Sequence, residues 1–145
     1  MLQAVLDTNV FVSSLLSKSG LPAKILEAWR AGQYLLITSP PIMAEIKAVL
    51  ESPRISKKYL ITRDDIKQLI NLLEKDALVV PGHTDVEGAI PEDPKDEMFL
   101  ACAVDARADM IVSGAHHLLD LTEYKGIPIL SVDQFAERLA KDNVL

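Results

Sequence analysis

The stretch Leu2-Gln3-Ala4-Val5-Leu6-Asp7-Thr8-Asn9-Val10-Phe11-Val12 decides how the rest of the chain is read. Its first residues form a short, nearly continuous apolar run, the pattern of a strand buried on both faces inside a parallel sheet. Asp7 falls where that strand stops. In open α/β sheets the carboxyl ends of the central strands line the functional crevice, so a carboxylate there is placed for chemistry. Asp, Thr and Asn are also the residues that cap a helix N-terminus, and a helix running through Leu16 follows. The stretch alone leaves Asp7 between these two roles.

Outward from this strand the pattern repeats. Ser19-Gly20-Leu21-Pro22 is a stop and restart signal. A second helix from Ala23 to Ala31 places Ile25, Leu26, Ala28 and Trp29 at amphipathic spacing, which assigns Trp29 to packing. Residues 34–38 read as strand two. Ser39-Pro40-Pro41 is a strong helix start, because a capping hydroxyl precedes prolines whose missing N–H costs nothing in the first turn. In the helix Ile42 to Leu50, Glu45 falls three residues after Ile42 and four before Val49, at the border of the buried stripe. Ser52-Pro53 ends this helix, and Thr62-Arg63-Asp64-Asp65 opens another with Ile66, Leu69, Ile70, Leu72 and Leu73 facing inward. Strand three covers 77–80.

A polar loop over 81–92 follows, with His83 expected in solvent. Asp93 suits a helix N-cap and Pro94 the first helical position, which leaves Asp96 at the third. Asp96 lies three, four and seven residues before Phe99, Leu100 and Ala103, so it points with the buried side of an apolar helix. That direction is expensive for a carboxylate unless a cation or donors meet it. Strand four covers 109–112, strand five 127–130, and a helix from Val132 or Asp133 runs to about Lys141. Strands alternating with helices demand parallel pairing through right-handed crossovers, with helices on both faces. The length of 145 residues and the absence of an internal repeat predict one domain over 1–145.

Hydrophobic residues make up 49% of the chain, enough for a substantial core. Without a leader-like segment or an apolar run of membrane-spanning length, a cytoplasmic protein with no membrane association is expected. The single cysteine, Cys102, excludes an internal disulfide and a cysteine-based zinc site, and its apolar neighbours predict burial. The net charge of −6 argues against a protein that coats nucleic acid. Arg54, Lys57, Lys58, Arg63 and Lys67 form the one concentrated basic patch, a candidate contact for a phosphate backbone.

In such a sheet every parallel strand points the same way, so segments that follow strands share one edge. Asp7 follows strand one, Glu45 lies in the early turns after strand two, Asp96 opens the helix after strand three, and residues 113–117 follow strand four. Three carboxylates gathered without a nearby Arg or Lys repel one another unless something positive sits between them. Oxygen-only ligands select a hard cation, Mg²⁺ or Mn²⁺.

The motifs Leu6-Asp7-Thr8-Asn9-Val10, Ile42-Met43-Ala44-Glu45, Asp93-Pro94-Lys95-Asp96-Glu97-Met98-Phe99-Leu100-Ala101 and Ala108-Asp109-Met110-Ile111-Val112-Ser113-Gly114 resemble, in order and over essentially the whole chain, those of PIN-domain proteins. The resemblance is nearest to the toxin-like PIN ribonucleases of bacteria and archaea. It implies a three-layer α/β/α sandwich whose five-stranded parallel sheet is ordered 3-2-1-4-5. It also implies a metal-dependent ribonuclease acting on RNA, often a homodimer and often held inactive by a small antitoxin protein. Carried over residue by residue, the family's acidic residues correspond to Asp7, Glu45 and Asp96, which would hold the metal and carry catalysis. Thr8, Asn9 and Ser113 match site-lining positions.

The family's fourth acidic residue normally follows the Ser-Gly after strand four, and here that position is Ala115. His116, Asp120 and Asp133 are the candidate stand-ins; His116, the nearest, would bias the site toward Mn²⁺. Two functions follow from the resemblance: an endoribonuclease that drives in-line attack of water on the phosphodiester, or a catalytically weakened PIN protein that binds RNA or a protein partner. Other phosphate-handling α/β classes fit worse. A haloacid-dehalogenase-type phosphatase needs an Asp where Asn9 stands, a Rossmann protein needs a Gly-rich turn after strand one, and a receiver domain needs a Lys after strand five.

Overall fold

A computed structural model describes residues 1–142 of the chain. Its centre is β1 (Gln3–Leu6), whose Ala4, Val5 and Leu6 are fully buried in succession. A strand buried at consecutive positions is covered on both faces, so the sheet lies between helical layers. β1 pairs in parallel with β2 (Leu35–Thr38) on one side, Val5 opposite Ile37, and with β4 (Met110–Val112) on the other, Val5 opposite Ile111. β3 (Leu78–Val79) joins β2 in parallel, and β6 (Ile127–Leu130) joins β4.

Helices make the crossovers. α1 (Thr8–Leu16) and α2 (Leu21–Arg30) connect β1 to β2, and α3 (Pro40–Glu51), α4 (Pro53–Ser56) and α5 (Arg63–Asp76) connect β2 to β3. After β3 the chain crosses back past β1 through α6 (Glu97–Ala106) to β4, then α7 (His116–Leu121) leads toward β6 and α8 (Val132–Lys141) closes the described chain. The direction of winding therefore reverses between β1 and β4. The crevice outside the carboxyl ends of those two strands is the switch point, where doubly wound folds place their sites.

Three local features depart from the pattern the sequence predicts. The sheet has six strands, not five, in the order β3-β2-β1-β4-β6-β5, because β5 (Glu123–Tyr124) folds back antiparallel onto β6. Lys125 and Gly126, at φ 49° and 82°, make a two-residue hairpin turn with both central residues in the left-handed region. A Lys-Gly pair is a weak hairpin signal, and the strand it forms has only two residues. The five parallel strands keep the expected order. The second departure lies before α6: Asp93 caps no helix with its side chain, and Pro94–Asp96 instead form a 3₁₀ turn. Strand three is also shorter than 77–80, as befits an edge strand with both residues partly in solvent.

The helices begin where capping chemistry puts them. Ser39 accepts from the Ile42 N–H to start α3, and Thr62 and Asp65 exchange backbone and side-chain bonds to start α5. Trp29 and Cys102 are buried, as expected. Among the described residues no helix is long and apolar enough to cross a membrane.

α6 packs across β1, β2 and β4, with Phe99, Leu100, Cys102 and Ala103 essentially inaccessible. Leu100→Ala should therefore cost about 2–5 kcal/mol in urea unfolding. Leu60→Ala, at a position 83% exposed, should stay within about 0.5 kcal/mol of the parent.

Candidate functional site

The site is built outward from Asp7, which is only 2% exposed. Its backbone N–H donates to the Val112 carbonyl at 3.0 Å, prolonging the β1–β4 pairing by one residue. Its side chain takes the capping role and also bonds the turn after β4. One oxygen, Oδ1, accepts from the Val10 N–H at 3.1 Å and caps α1; the other, Oδ2, accepts from the Ser113 hydroxyl and from the Gly114 N–H at 3.2 Å. One carboxylate can do both because the strand ends where the helix begins. Burial pushes the Asp7 carboxyl upward in pKa, and the hydrogen bonds from Ser113, Val10, Gly114 and Asn9 oppose that rise.

Glu45 reaches the same edge from the second turn of α3 and is half-buried. Its pKa is raised first by burial and then by Asp93 and Asp7, while the Lys95 ammonium works against the rise. Asp96, at the junction of the 3₁₀ turn and α6, is also half-buried. Burial is the largest cause of its rise to about 6, followed by Asp93, Asp7 and Glu45. The three acidic residues expected at this edge thus stand close enough to act on one another. They do not close into a cage: among the described residues no three Asp, Glu, His or Cys side chains adopt metal-holding geometry.

The other expected residues divide. Ser113 is fully buried and bonded to Asp7, and its Oγ also accepts from the Ala115 N–H at 2.9 Å. Thr8 is buried with a hydroxyl oxygen that has no hydrogen-bond partner, and Thr38, at the carboxyl end of the adjacent β2, is in the same condition. An orphaned buried hydroxyl costs about 1–3 kcal/mol, so a pair at one sheet edge marks a place where polar atoms await partners. Asn9 is exposed and approaches Asp7 through its backbone. His116 is exposed and its ring lies against that of His117, with centroids 3.9 Å apart; Asp120 and Asp133 are exposed.

The acidic residue that does join the group is Asp93, which the sequence pattern assigns to a helix cap. Its charge acts on both Asp96 and Glu45. Asp93 stands just before the 3₁₀ turn, and its carbonyl accepts from the Asp96 N–H at 3.1 Å. The donor atoms gathered here are all oxygens, the chemistry that suits Mg²⁺ or Mn²⁺. A thiol nucleophile plays no part, since burial pushes Cys102 up to about 12.

The raised Asp96 carboxyl fixes the sign of a pH effect. A carboxyl whose folded pKa lies above its unfolded value contributes stability that is complete below the unfolded value and lost as pH rises through the folded one. In metal-free buffer, Asp96→Asn should therefore raise Tm relative to the parent at pH 7. That advantage should shrink as pH falls through about 6 toward 4, because the parent's own carboxyl becomes neutral. Paired thermal melts across this range make the comparison.

A family model for the PIN domain matches residues 3–117. The chain is similar to the uncharacterised protein MJ1680 of Methanocaldococcus jannaschii, with 30% identity over 122 residues, 84% of this chain and 76% of that protein. In fold it is similar to the crystal structure of VapBC2 from Rickettsia felis bound to a DNA fragment from their promoter, with a TM-score of 0.58. That likeness covers 90% of this chain and 98% of the other at 12% identity, and speaks for the fold alone. The family match runs from β1, through the segments that carry Asp7, Glu45, Asp93 and Asp96, to the turn after β4. The chain belongs to the PIN-domain family.

Proposed function

We propose that this protein is a metal-dependent endoribonuclease, the toxin of a toxin–antitoxin pair, acting in the cytoplasm as a homodimer restrained by a small antitoxin protein. The observation that carries the reading is the convergence of Asp7, Glu45 and Asp96 at the switch-point crevice with all-oxygen chemistry. The orphaned Thr8 and Thr38 hydroxyls at the same edge support it, since they supply further oxygen donors to an ion or its waters. Membership of a nuclease family supplies the reaction class. The R. felis neighbour, a VapBC2 assembly, motivates the antitoxin partner.

A bound Mg²⁺ or Mn²⁺ would contribute charge neutralisation and Lewis acidity toward the phosphodiester. Asp7 and Asp96 would hold it, with Ser113 and Gly114 fixing the Asp7 oxygen that faces β4. Glu45, less buried than Asp7 and raised in pKa, would orient the attacking water and take its proton. Arg54, Lys57, Lys58, Arg63 and Lys67 are all exposed; Lys47 of α3 joins Arg63 and Lys67 along an open groove of about 390 Å³. On a protein of net charge −6 this face is the place for an RNA backbone to be held.

The presence of Ala115 where the family carries its fourth acidic residue favours one second reading, a PIN protein that binds RNA or a protein partner with little turnover. Metal-dependent turnover separates the two. With Mg²⁺ or Mn²⁺ and a generic single-stranded RNA, the wild type should cleave and Asp7→Asn should abolish cleavage; its amide oxygen can still cap α1 but its NH₂ cannot accept from Gly114, so circular dichroism must show the variant folded. Glu45→Gln should slow cleavage by about 10²–10⁴-fold if it moves a proton. RNA binding without Asp7-dependent turnover would establish the second reading.

Neutralising Lys57 and Lys58 should weaken RNA binding evenly across sequences. The slope of log affinity against log salt should fall by about 1.4, which is about 0.7 for each single-strand phosphate that a lysine no longer neutralises. Folding should be unaffected, since both side chains are exposed. An unchanged slope would remove this face from the RNA path.

A further inference from the structure

We propose that Tyr59 is a stacking platform for a base of single-stranded RNA, set at the end of the basic groove that holds the phosphate backbone. The proposal rests on the RNA reading above and adds to it a contact to a base. The groove lies between α3 and α5, with Lys47 and Glu51 on one wall and Arg63 and Lys67 on the other. Glu51 is the last residue of α3 and Arg63 the first of α5, so the segment 52–62 joins the two walls at one end. The apolar residues of that segment divide. Ile55 and Ile61 pack against the core, whereas Tyr59 is 42% exposed and Leu60 83%. The backbone between them is fixed: the Tyr59 N–H donates to the Ile55 carbonyl and the Ile61 N–H to the Ser56 carbonyl, both at 3.0 Å. Leu60, at φ 55°, takes the left-handed position where glycine is the usual residue and closes the turn. The Tyr59 ring is therefore presented to solvent from an ordered backbone.

Charge decides which partner fits the ring. Arg54, Lys57 and Lys58 precede it and Arg63 follows it, all of them exposed. The carboxylates next along the chain are committed to the protein itself: Asp65 and Thr62 cap α5 together, and Asp64 accepts from the Gln68 amide at 2.8 Å. The Lys58 ammonium stands 5.4 Å from the centroid of the Tyr59 ring. Cations interleaved with an exposed aromatic face suit unpaired nucleotides, because the ring takes a base by stacking while the ammonium groups take the phosphates. A protein partner would have to set acidic groups around an apolar pocket to match this tip, whereas every nucleotide carries an aromatic plane and an anion together. A base-paired strand offers the phosphates without free base faces, so the ring discriminates single strands from duplexes.

The test is fluorescence anisotropy of labelled oligouridine binding to the full-length protein in EDTA, which keeps the RNA intact, beside the same strand paired with oligoadenosine. Tyr59→Ala should weaken single-strand binding about 5- to 100-fold and leave duplex binding within about twofold. Its salt slope should stay at the wild-type value, because no charge is removed. Tyr59→Phe should bind as the wild type does. Tyr59→Leu, which keeps the bulk without the aromatic face, should lose affinity as the alanine variant does, and it replaces that variant if Tyr59→Ala fails to fold. Equal losses on single strand and duplex would overturn the proposal, since the ring would then only position Lys58. Wild-type affinity in Tyr59→Ala, with a lower salt slope once Lys57 and Lys58 are neutralised, would also overturn it and leave the RNA face standing; loss of self-association in that variant by size-exclusion chromatography would then assign the tip to a protein contact. Absence of RNA binding by the wild type would overturn both readings.

Discussion

The buried carboxylate of Asp7 is the constraint around which the rest of this structure is arranged. It ends the central strand, begins the first helix, and bonds through Ser113 and Gly114 to the end of the strand beyond. A charge in such a place is costly unless donors surround it. The protein provides four N–H or O–H groups from two segments more than a hundred residues apart in sequence, which ties the β1–α1 corner to the β4 turn. The switch point is thereby held by a single buried carboxylate.

Around this anchor the acidic residues carry opposing consequences for stability and function. Asp7 and Asp93 raise the pKa of both Glu45 and Asp96, and the Lys95 ammonium is the opposing charge that acts on Glu45. Like charges gathered at this half-buried edge work against the folded state.

The scaffold away from the site is ordinary in its physics. Capping boxes at Thr62 and Ser131, a proline-led start to α3 and a buried apolar β1 supply consistent local signals. The basic face on α3 to α5 lies on the crossover from β2 to β3, so one connection carries both Glu45 and the cations suited to a phosphate backbone.

Periodicity, capping chemistry and the direction imposed by parallel pairing are local or topological, and they were legible in the chain before any coordinates. They set the parallel order of the five main strands, the helix starts at Ser39 and Thr62, and the convergence of Asp7, Glu45 and Asp96 on one edge. Other features arose only on packing. The β5 hairpin depends on two left-handed residues with little sequence signal, and its two-residue strand exists only because β6 offers an edge. The part played by Asp93 was hidden because a carboxylate before proline reads as a cap; only the 3₁₀ turn, set beside Asp7 and Glu45, brings it into the group.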